Sequence, residues 1–490
     1  MSSVNQLYQR FLKMKTARQS LENSWKDCYA FALPQKEGSF CEFSTNASEK
    51  LFDGTAPDCV DQLAACIFSE LTPSWRKWFN LVATNVEQNE DAQSAEFLED
   101  ISQTLNSHLN LSNFSVEMHQ CFLDLVTVGT ACLLFEEARI GEKTAFHFTA
   151  IPLSEIYVDE GYKGVLDTTF RYCQLPLSTV IQRFECEDAV NKQQLKDINP
   201  ADILIPVIEC VVPKKCGGYE YVAFVEKDAD GLFGKKEHFI LKQGCFETSP
   251  FITFRWIKAS GEVYGRSPVM KALPDIKTTN KVVELILKNA TIAVTGIWQA
   301  EDDGVLNPAN IRLVPGTIIP KAVGSKGLTP LQAAGDFDVS QLILEDLRNR
   351  IRHALLNDKL GQVQNTKMTA TEVLERSAEM IRILGAVYSR LQTELLTPLI
   401  ERGLSILRRR GEVPILFLDG YSIKITYQSP VADLQNQRQA NEVMNFIHSF
   451  ADMNMDAFQI VDVYGLAKWL ANQLNIPMDL IKNPEIKKLN

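Results

Sequence analysis

The chain has 490 residues, 45% of them hydrophobic and 23% charged. That length suits roughly three packed domains, and the composition excludes wholesale disorder and collagen-like repetition. A count of 50 Lys and Arg against 61 Asp and Glu leaves a formal net charge of −11. This argues against a protein whose main task is to grip nucleic acid, though not against one that lets nucleic acid slide past. No apolar run reaches transmembrane length, and residues 1–25 lack the apolar core of a signal peptide, so synthesis in a reducing cytoplasm is expected. The 11 cysteines are odd in number, show no CxxC spacing and lie between Cys28 and Cys245, which predicts free, mostly buried thiols rather than a disulfide framework or zinc site. The 6 histidines have no HxxxH or HExxH spacing, which argues against a His-rich metal centre.

In chain order, Leu7, Tyr8, Phe11 and Leu12, then Leu21, Trp25, Cys28 and Tyr29, predict a helix ended by Pro34. Asp58 to Leu71 predicts a second helix, and the cluster Trp75, Trp78 and Phe79 predicts core packing. Further helices are predicted over Ala92–Leu109 and Phe114–Val128. Short runs rich in Val, Ile, Phe and Tyr follow: Thr130–Phe135, Ala145–Ile151, Val165–Tyr172, Ile203–Val212, Tyr219–Val225, Glu237–Leu241 and Pro250–Trp256. They predict a β-rich unit of about 130 residues. Helices return from Pro268, with an apolar pattern over Asp275–Thr291. The Gly- and Pro-rich stretch from Gly296 to Gly335 reads as strands and turns, with short apolar pieces at Ile311–Val314 and Thr317–Ile319. A helix over Val339–Leu356 follows.

After the polar break Asn357–Lys367, Thr369 and Glu372 form a capping box that opens a helix running to Arg410 and stopped by Gly411. Roughly 40 residues would span ~60 Å, with a kink expected at Pro398. Ile415–Tyr427 predicts one or two strands and Leu434–Lys482 more helix. The mixture predicts an α+β fold.

The search for chemistry returns little. Gly234-Lys235 lacks the Gly that a phosphate-binding loop needs five residues earlier, where Ala229 stands. There is no GxGxxG and no GxSxG. Glu226 to Glu237 places acids at positions 1, 3, 5 and 12 and Gly231 at position 6, as a calcium-binding loop does. Glu at position 1 and strand-like flanks favour a β-hairpin turn instead. Arg408, Arg409 and Arg410 suit the negative end of a helix dipole.

Two stretches carry a resemblance. The first is Phe254-Arg-Trp-Ile-Lys-Ala-Ser-Gly-Glu-Val-Tyr264-Gly265-Arg266-Ser267-Pro268. The second runs from Lys367-Met-Thr369-Ala-Thr-Glu372 through Glu394-Leu-Leu-Thr-Pro398 to Arg410-Gly411, with Tyr427-Gln-Ser-Pro430 beyond it. With Arg18, Trp25, Leu33-Pro34, Leu51-Phe52-Asp53-Gly54-Thr55 and Trp78-Phe79, their order resembles the portal, or head-to-tail connector, proteins of T7-like short-tailed bacteriophages. The resemblance implies a ring, usually a dodecamer, around a channel at one capsid vertex. Residues 1–265 would form the wing, 266–290 a first stem helix, 291–338 the clip and 339–356 a second stem helix. Residues 357–368 would be a tunnel loop, 369–432 a long wing helix with following strands, and 433–490 a short crown.

The implied task is mechanical, with no cofactor, no metal and no catalysis. Double-stranded DNA would pass through during packaging and ejection. The terminase large subunit, major capsid and scaffolding proteins and tail adaptor proteins would be partners, without a membrane. The protein would reside in the virion and, during assembly, in the host cytoplasm. Lys359, Gln362, Gln364, Asn365 and Lys367 are the tunnel-loop candidates for DNA contact. Arg348, Arg350, Arg352 and His353 are candidates for bridging subunits. Two alternatives remain: another head or tail structural adaptor, distinguished by whether a ring forms around a helical stem, or a metal-dependent cytosolic enzyme using the Glu226–Glu237 loop.

Overall fold

The computed structural model describes residues 3–34, 51–83, 92–139, 141–162, 164–187, 203–225, 238–295, 298–300, 328–330, 337–357, 385–414, 423–427, 439–440, 443–447 and 463–474. It is an α+β fold. Helix α1 (Val4–Ala32) begins with Ser3, whose hydroxyl accepts the Gln6 N–H at 3.3 Å. Its predicted apolar stripe is buried at Leu7, Phe11, Trp25, Cys28 and Tyr29, and Pro34 lies just past its end. Arg18 lies in the same stripe and is also buried. It donates to the carbonyls of Leu153, Ser154 and Ile156 at 2.9, 2.9 and 2.7 Å, and to Glu22 at 3.0 Å. A buried guanidinium is tolerable only when its donors are used, and here they fasten α1 to the turn beneath it.

Helix α2 (Thr55–Leu71) starts earlier than the apolar pattern indicates, because the Asp53 carboxylate accepts the Thr55 N–H at 3.0 Å. Strand β1 (Phe79–Ala83) follows. Trp78 and Phe79 are buried edge-to-face at 4.7 Å, but Trp75 is 72% exposed, so only two of the three clustered aromatics pack in the core. Helices α3 (Ala92–Leu111) and α4 (Phe114–Val128) match their predicted spans closely.

Strands β2 (Thr130–Glu137) and β3 (Phe146–Ile151) lead into a short 3-10 turn and β4 (Ile156–Glu160). Strand β5 (Leu166–Pro176), helix α5 (Leu177–Phe184), then β6 (Leu204–Pro213), β7 (Tyr219–Val225), β8 (Phe239–Phe246) and β9 (Phe251–Arg255) complete the β-rich unit. It forms two antiparallel sheets rather than one: a three-stranded sheet in the order β3-β2-β9 and a five-stranded meander β4 through β8. The meander buries both faces. One holds Val207, Ala223 and Val225 under Leu177, Val180 and Phe184 of α5. The other holds Ile208, Val222 and Phe224 under Leu7, Phe11 and Met14 of α1. The alternation along each strand is the two-residue period of a pleated sheet. β7 and β8 pair as a hairpin, so the flanks of the acidic Glu226–Glu237 loop are strands, as the turn reading expects; the loop lies outside the described residues.

Helix α6 (Pro268–Thr295) runs through Pro274 and is longer than its apolar pattern. Strands β10 (Trp298–Ala300) and β11 (Leu328–Pro330) pair antiparallel, and α7 (Phe337–Ala354) returns beside α6. Ile311–Val314 and Thr317–Ile319 lie outside the described residues, as do Thr369 and Glu372 of the capping box. The long helix is described from residue 385. A π-turn over Gln392–Leu396, closed by the Thr397 N–H on the Gln392 carbonyl, lies just before Pro398. Helix α8 (Thr397–Arg410) continues to Gly411, whose φ of 77° makes the predicted left-handed stop. The basic run at its end pairs with carboxylates: Arg408 with Glu247 at 3.2 Å, and Arg409 and Arg410 with Glu137, both at 3.1 Å. Strand β12 (Ile423–Tyr427) pairs with β1, placing Tyr427 opposite Phe79. Of the helix expected over Leu434–Lys482, α9 (Val463–Leu474) and a short piece at 443–447 fall in the described residues.

Candidate functional site: the paired helices and their anchor

The paired helices α6 and α7 leave the body of the protein at a crossing of two backbones. Gly265 donates its N–H to Thr130 Oγ1 at 2.8 Å, and Trp256 donates to the Gly129 carbonyl at 2.9 Å. A Cβ on Gly265 would lie 2.0 Å from the Gly129 oxygen, so neither strand of this crossing has room for a side chain. Ser267 then starts α6: its hydroxyl accepts the Met270 N–H at 2.9 Å and donates to the Thr127 carbonyl at 2.8 Å. The Tyr264-Gly265-Arg266-Ser267-Pro268 motif is therefore a backbone junction, with Pro at the first helical position.

Both helices are then tied to the segment before α2. Asn280 of α6 accepts the backbone N–H groups of Phe52 and Asp53 at 2.7 and 3.2 Å. Arg348 of α7 grips Asp53 Oδ2 through Nε and Nη2 at 2.9 and 2.6 Å. Lys277 of α6 meets Asp27 of α1 at 2.6 Å. At the end of α7, Leu356 adopts φ 60°, and Asn357 donates to Cys59 Sγ at 3.3 Å. The inner half of α7 buries Leu347 and Ile351, and Leu355 just past its end is buried too. The outer half of the pair exposes Leu285, Leu287, Ile343 and, at 72%, Leu342. A helix pair rooted at one end and apolar yet exposed at the other is suited to cover by another surface.

Burial pushes the Asp53 carboxyl up, but the hydrogen bonds from Thr55 and Arg348 outweigh it and hold the carboxyl below its ordinary value. A carboxyl depressed in the folded state stabilises above the unfolded-state value and loses that contribution as pH falls through the folded one. The anchor should therefore hold at neutral pH and weaken only below about pH 4. Arg348→Ala should cost about 1–3 kcal/mol at pH 7, because it strands a buried carboxylate. The deficit relative to wild type should shrink as Asp53 protonates, read by chemical denaturation at pH 7 and pH 3.

A second knot joins β9 to the long helix. Arg255, fully buried, donates through Nη2 and Nε to Glu394 Oε1 at 2.6 and 3.2 Å, and its own backbone N–H reaches Glu394 Oε2 at 2.9 Å. It also donates to the Val263 carbonyl at 2.9 Å and to Glu160 at 3.3 Å. Lys258 meets Glu160 at 2.6 Å, and Arg390 meets Glu394 at 3.1 Å. Glu394 sits in the π-turn, so the irregular turn aims the carboxylate at β9. Burial pushes the thiols of Cys28, Cys132, Cys173 and Cys210 up to about 12, which disfavours the reactive thiolate.

The sequence-predicted residues fall unevenly. Arg348 pairs with Asp53 of its own chain, Arg350 with Asp346 on the same helix at 2.8 Å, and Arg352 donates to Asn349 at 3.2 Å. His353 lies one residue from the end of α7. Lys359, Gln362, Gln364, Asn365 and Lys367 lie outside the described residues. Sequence reasoning missed the pairing of Arg255 with Glu394 and of Asp53 with Asn280 and Arg348. The available signal was a lone Arg in the apolar run Phe251–Trp256. Among the described residues, no group of three His, Cys, Asp or Glu could hold a metal, and no helix is long and apolar enough to cross a membrane.

The family profile for "Bacteriophage head to tail connecting protein" matches residues 4–481. The chain belongs to that family. A probable portal protein of Bordetella phage BPP-1 is 24% identical over 505 residues, covering 97% of this chain and 88% of the relative. The portal protein of Salmonella phage epsilon15 is 23% identical, covering 93% and 85%. That of Escherichia phage T7 is 21% identical, covering 82% and 74%. Among solved structures, a chain from the neck of an empty gene transfer agent particle is 10% identical with a TM-score of 0.39, covering 82% of this chain and 90% of its own. The chain is thus a portal-type connector subunit, and a part that joins head to tail is a constituent of the virion.

Proposed function

We propose that copies of this chain assemble into a ring, a dodecamer, at one capsid vertex. Double-stranded DNA enters through its channel, driven by a separate terminase motor, and leaves through it on ejection. Tail adaptors attach on the outer side, and capsid and scaffolding proteins hold the rim. The observation that carries the reading is the family match over nearly the whole chain, joined to a helix pair anchored at its root and apolar at its exposed end. Under this reading residues 266–290 in α6 and 339–356 in α7 are the stem, 291–338 the clip, and 357–368 the tunnel loop. Residues 1–265 and 369–432 form the wing, and 433–490 the crown. The chain acts as a conduit and not as an enzyme: it carries no phosphate-binding loop motif, and the motor supplies hydrolysis. An acidic ring disfavours adhesion of a polyanion, which suits passage.

Within the ring, Lys359, Lys367, Gln362, Gln364 and Asn365 touch DNA. Arg350, Arg352 and His353 bridge neighbouring subunits. The test is native mass spectrometry with negative-stain images. A closed ring near twelve copies with a central hole is expected, and a monomer or dimer at every concentration and salt would overturn the reading. In the ring, Lys359→Ala with Lys367→Ala should leave assembly intact and lower DNA retention at low salt about fivefold or more, since two phosphate contacts per subunit are removed. Unchanged retention would remove the tunnel loop from DNA contact.

A further inference from the structure

Most cysteines among the described residues are buried, but Cys216 and Cys245 stand in water. Cys245 lies on β8, the end strand of the five-stranded meander, opposite Glu220 of β7. Lys214 opens the turn that joins β6 to β7. Its N–H donates to the Gly218 carbonyl at 3.0 Å, and its carbonyl accepts the Gly217 N–H at 3.2 Å. The turn is pressed onto β8: Gly218 holds φ 73°, and a Cβ there would lie 2.7 Å from the Phe246 carbonyl oxygen. Lys214 Nζ then lies 2.5 Å from Cys245 Sγ. An amine nitrogen and an exposed sulfur are in direct contact across 31 positions of sequence.

The hydrogen bond to Cys245 is the largest cause holding the Lys214 ammonium above its ordinary pKa, and Glu220 and Cys216 add to it. An exposed sulfur with a cation beside it is the kind that oxidises first, and an oxidised sulfur condenses with a nitrogen in reach.

We propose that Lys214 and Cys245 form a reversible redox switch, in which hydrogen peroxide turns their contact into a sulfur–nitrogen bond and a small thiol reverses it. In the first step the Cys245 sulfur, as thiolate, attacks the peroxide. An S–O bond forms, the O–O bond breaks, and the departing hydroxide is protonated to water. With the thiolate gone, Lys214 loses the hydrogen bond that kept it an ammonium, and Nζ gives one proton to solvent. Its lone pair attacks the sulfur of the sulfenic acid. An S–N bond forms, the S–O bond breaks, and hydroxide leaves as water with one N–H proton. The sulfur has given up two electrons and the peroxide has taken them. Two equivalents of a small thiol return the electrons, restoring amine and thiol and leaving one disulfide.

The bond closes a loop that contains β7 and the acidic segment Glu226–Glu237, and it ties the end strand to the turn beyond its neighbour. A closed loop holds the sheet edge against local opening. A virion constituent meets an oxidising medium outside a cell, where such a bond persists, and a reducing one inside, where it does not.

The test treats the full chain with hydrogen peroxide and maps its peptides by mass spectrometry without reductant. The expected product is the peptide holding Lys214 joined to the peptide holding Cys245. It should be lighter by two hydrogens than the two combined, and dithiothreitol should release it. Lys214→Met and Cys245→Ser should each abolish the joined peptide. Both side chains lie at the surface, so both variants should keep the wild-type circular dichroism. In Lys214→Met the sulfenic acid loses its nitrogen, and dimedone should label Cys245 about fivefold or more above the wild type. Equal labelling of Cys216 in the two proteins checks that peroxide reached them alike. Equal dimedone labelling of Cys245 in both, with no joined peptide, would overturn the proposal. So would a Cys245 that stays reduced while Cys216 reacts, or a bond from Cys245 to Lys215 or Lys242 in place of Lys214.

Discussion

Glu394→Ala is expected to lower the unfolding free energy by about 3–5 kcal/mol. The carboxylate is the main ionic partner of Arg255, which has no exposed surface and donates to it through Nε, Nη2 and its own backbone N–H. Removing it leaves a guanidinium in the interior with Glu160 at 3.3 Å as its nearest remaining carboxylate, and Glu160 is already engaged by Lys258. The penalty is that of an uncompensated buried charge rather than the value of the pair itself. The double variant Arg255→Met with Glu394→Leu should therefore recover much of the loss, because both charges leave together. The measurement is the urea midpoint at constant m for the two variants. A Glu394→Ala deficit below about 1 kcal/mol would mean that the pair behaves as a solvated surface bridge, contrary to its burial.

The second large effect is expected at Gly265. Its Cβ in an alanine variant would be placed 2.0 Å from the Gly129 oxygen and 3.0 Å from the Gly129 carbonyl carbon. Backbone, not a flexible side chain, is in the way. The crossing must open, and with it go the Gly265–Thr130, Trp256–Gly129 and Ser267–Thr127 hydrogen bonds that start α6. Gly265→Ala should cost about 3 kcal/mol or more and reduce soluble yield. Gly129→Ala should do the same with an added conformational cost, since Gly129 holds φ 79° and its Cβ would meet the backbone around Arg266 at 2.6–2.7 Å. Gly385→Ala is the control: nothing lies within 4 Å of its Cβ, and it sits in a helix, so the variant should be neutral or slightly more stable. Melting temperatures and soluble fractions of the three variants decide this. Equal behaviour at positions 265 and 385 would mean that the crossing is not tight.

Much of the element plan was legible because it is local. The stripe of α1, the spans of α3 and α4, β7 and the left-handed stop at Gly411 each follow from spacing or from one residue type. The weaker readings were those that depended on neighbours. Strand β4 is five residues long and too short to show a period of its own, and its place follows from pairing with β5. Strand β1 is Phe79–Ala83 and is a strand because Ile423–Tyr427 comes back beside it. Trp75 stands three positions before Trp78 and four before Phe79, yet it faces water, because that distance is enough for a loop to turn one ring outward.

By itself, the sequence determined the alternation of helix and strand, the acidic balance, the free thiols and the order of motifs that marks a head-to-tail connector. Hydrophobic period, turn residues and net charge are properties of the chain before it folds. Only the tertiary structure decided what the motifs do. Phe52-Asp53 proves to be the clamp for Asn280 and Arg348, Gly265 the partner of Gly129, and Arg255 the partner of Glu394. Each of these contacts joins residues more than a hundred positions apart. No local periodicity encodes such a pairing, because it exists only once the core has brought the segments together and made a buried charge or an absent side chain necessary.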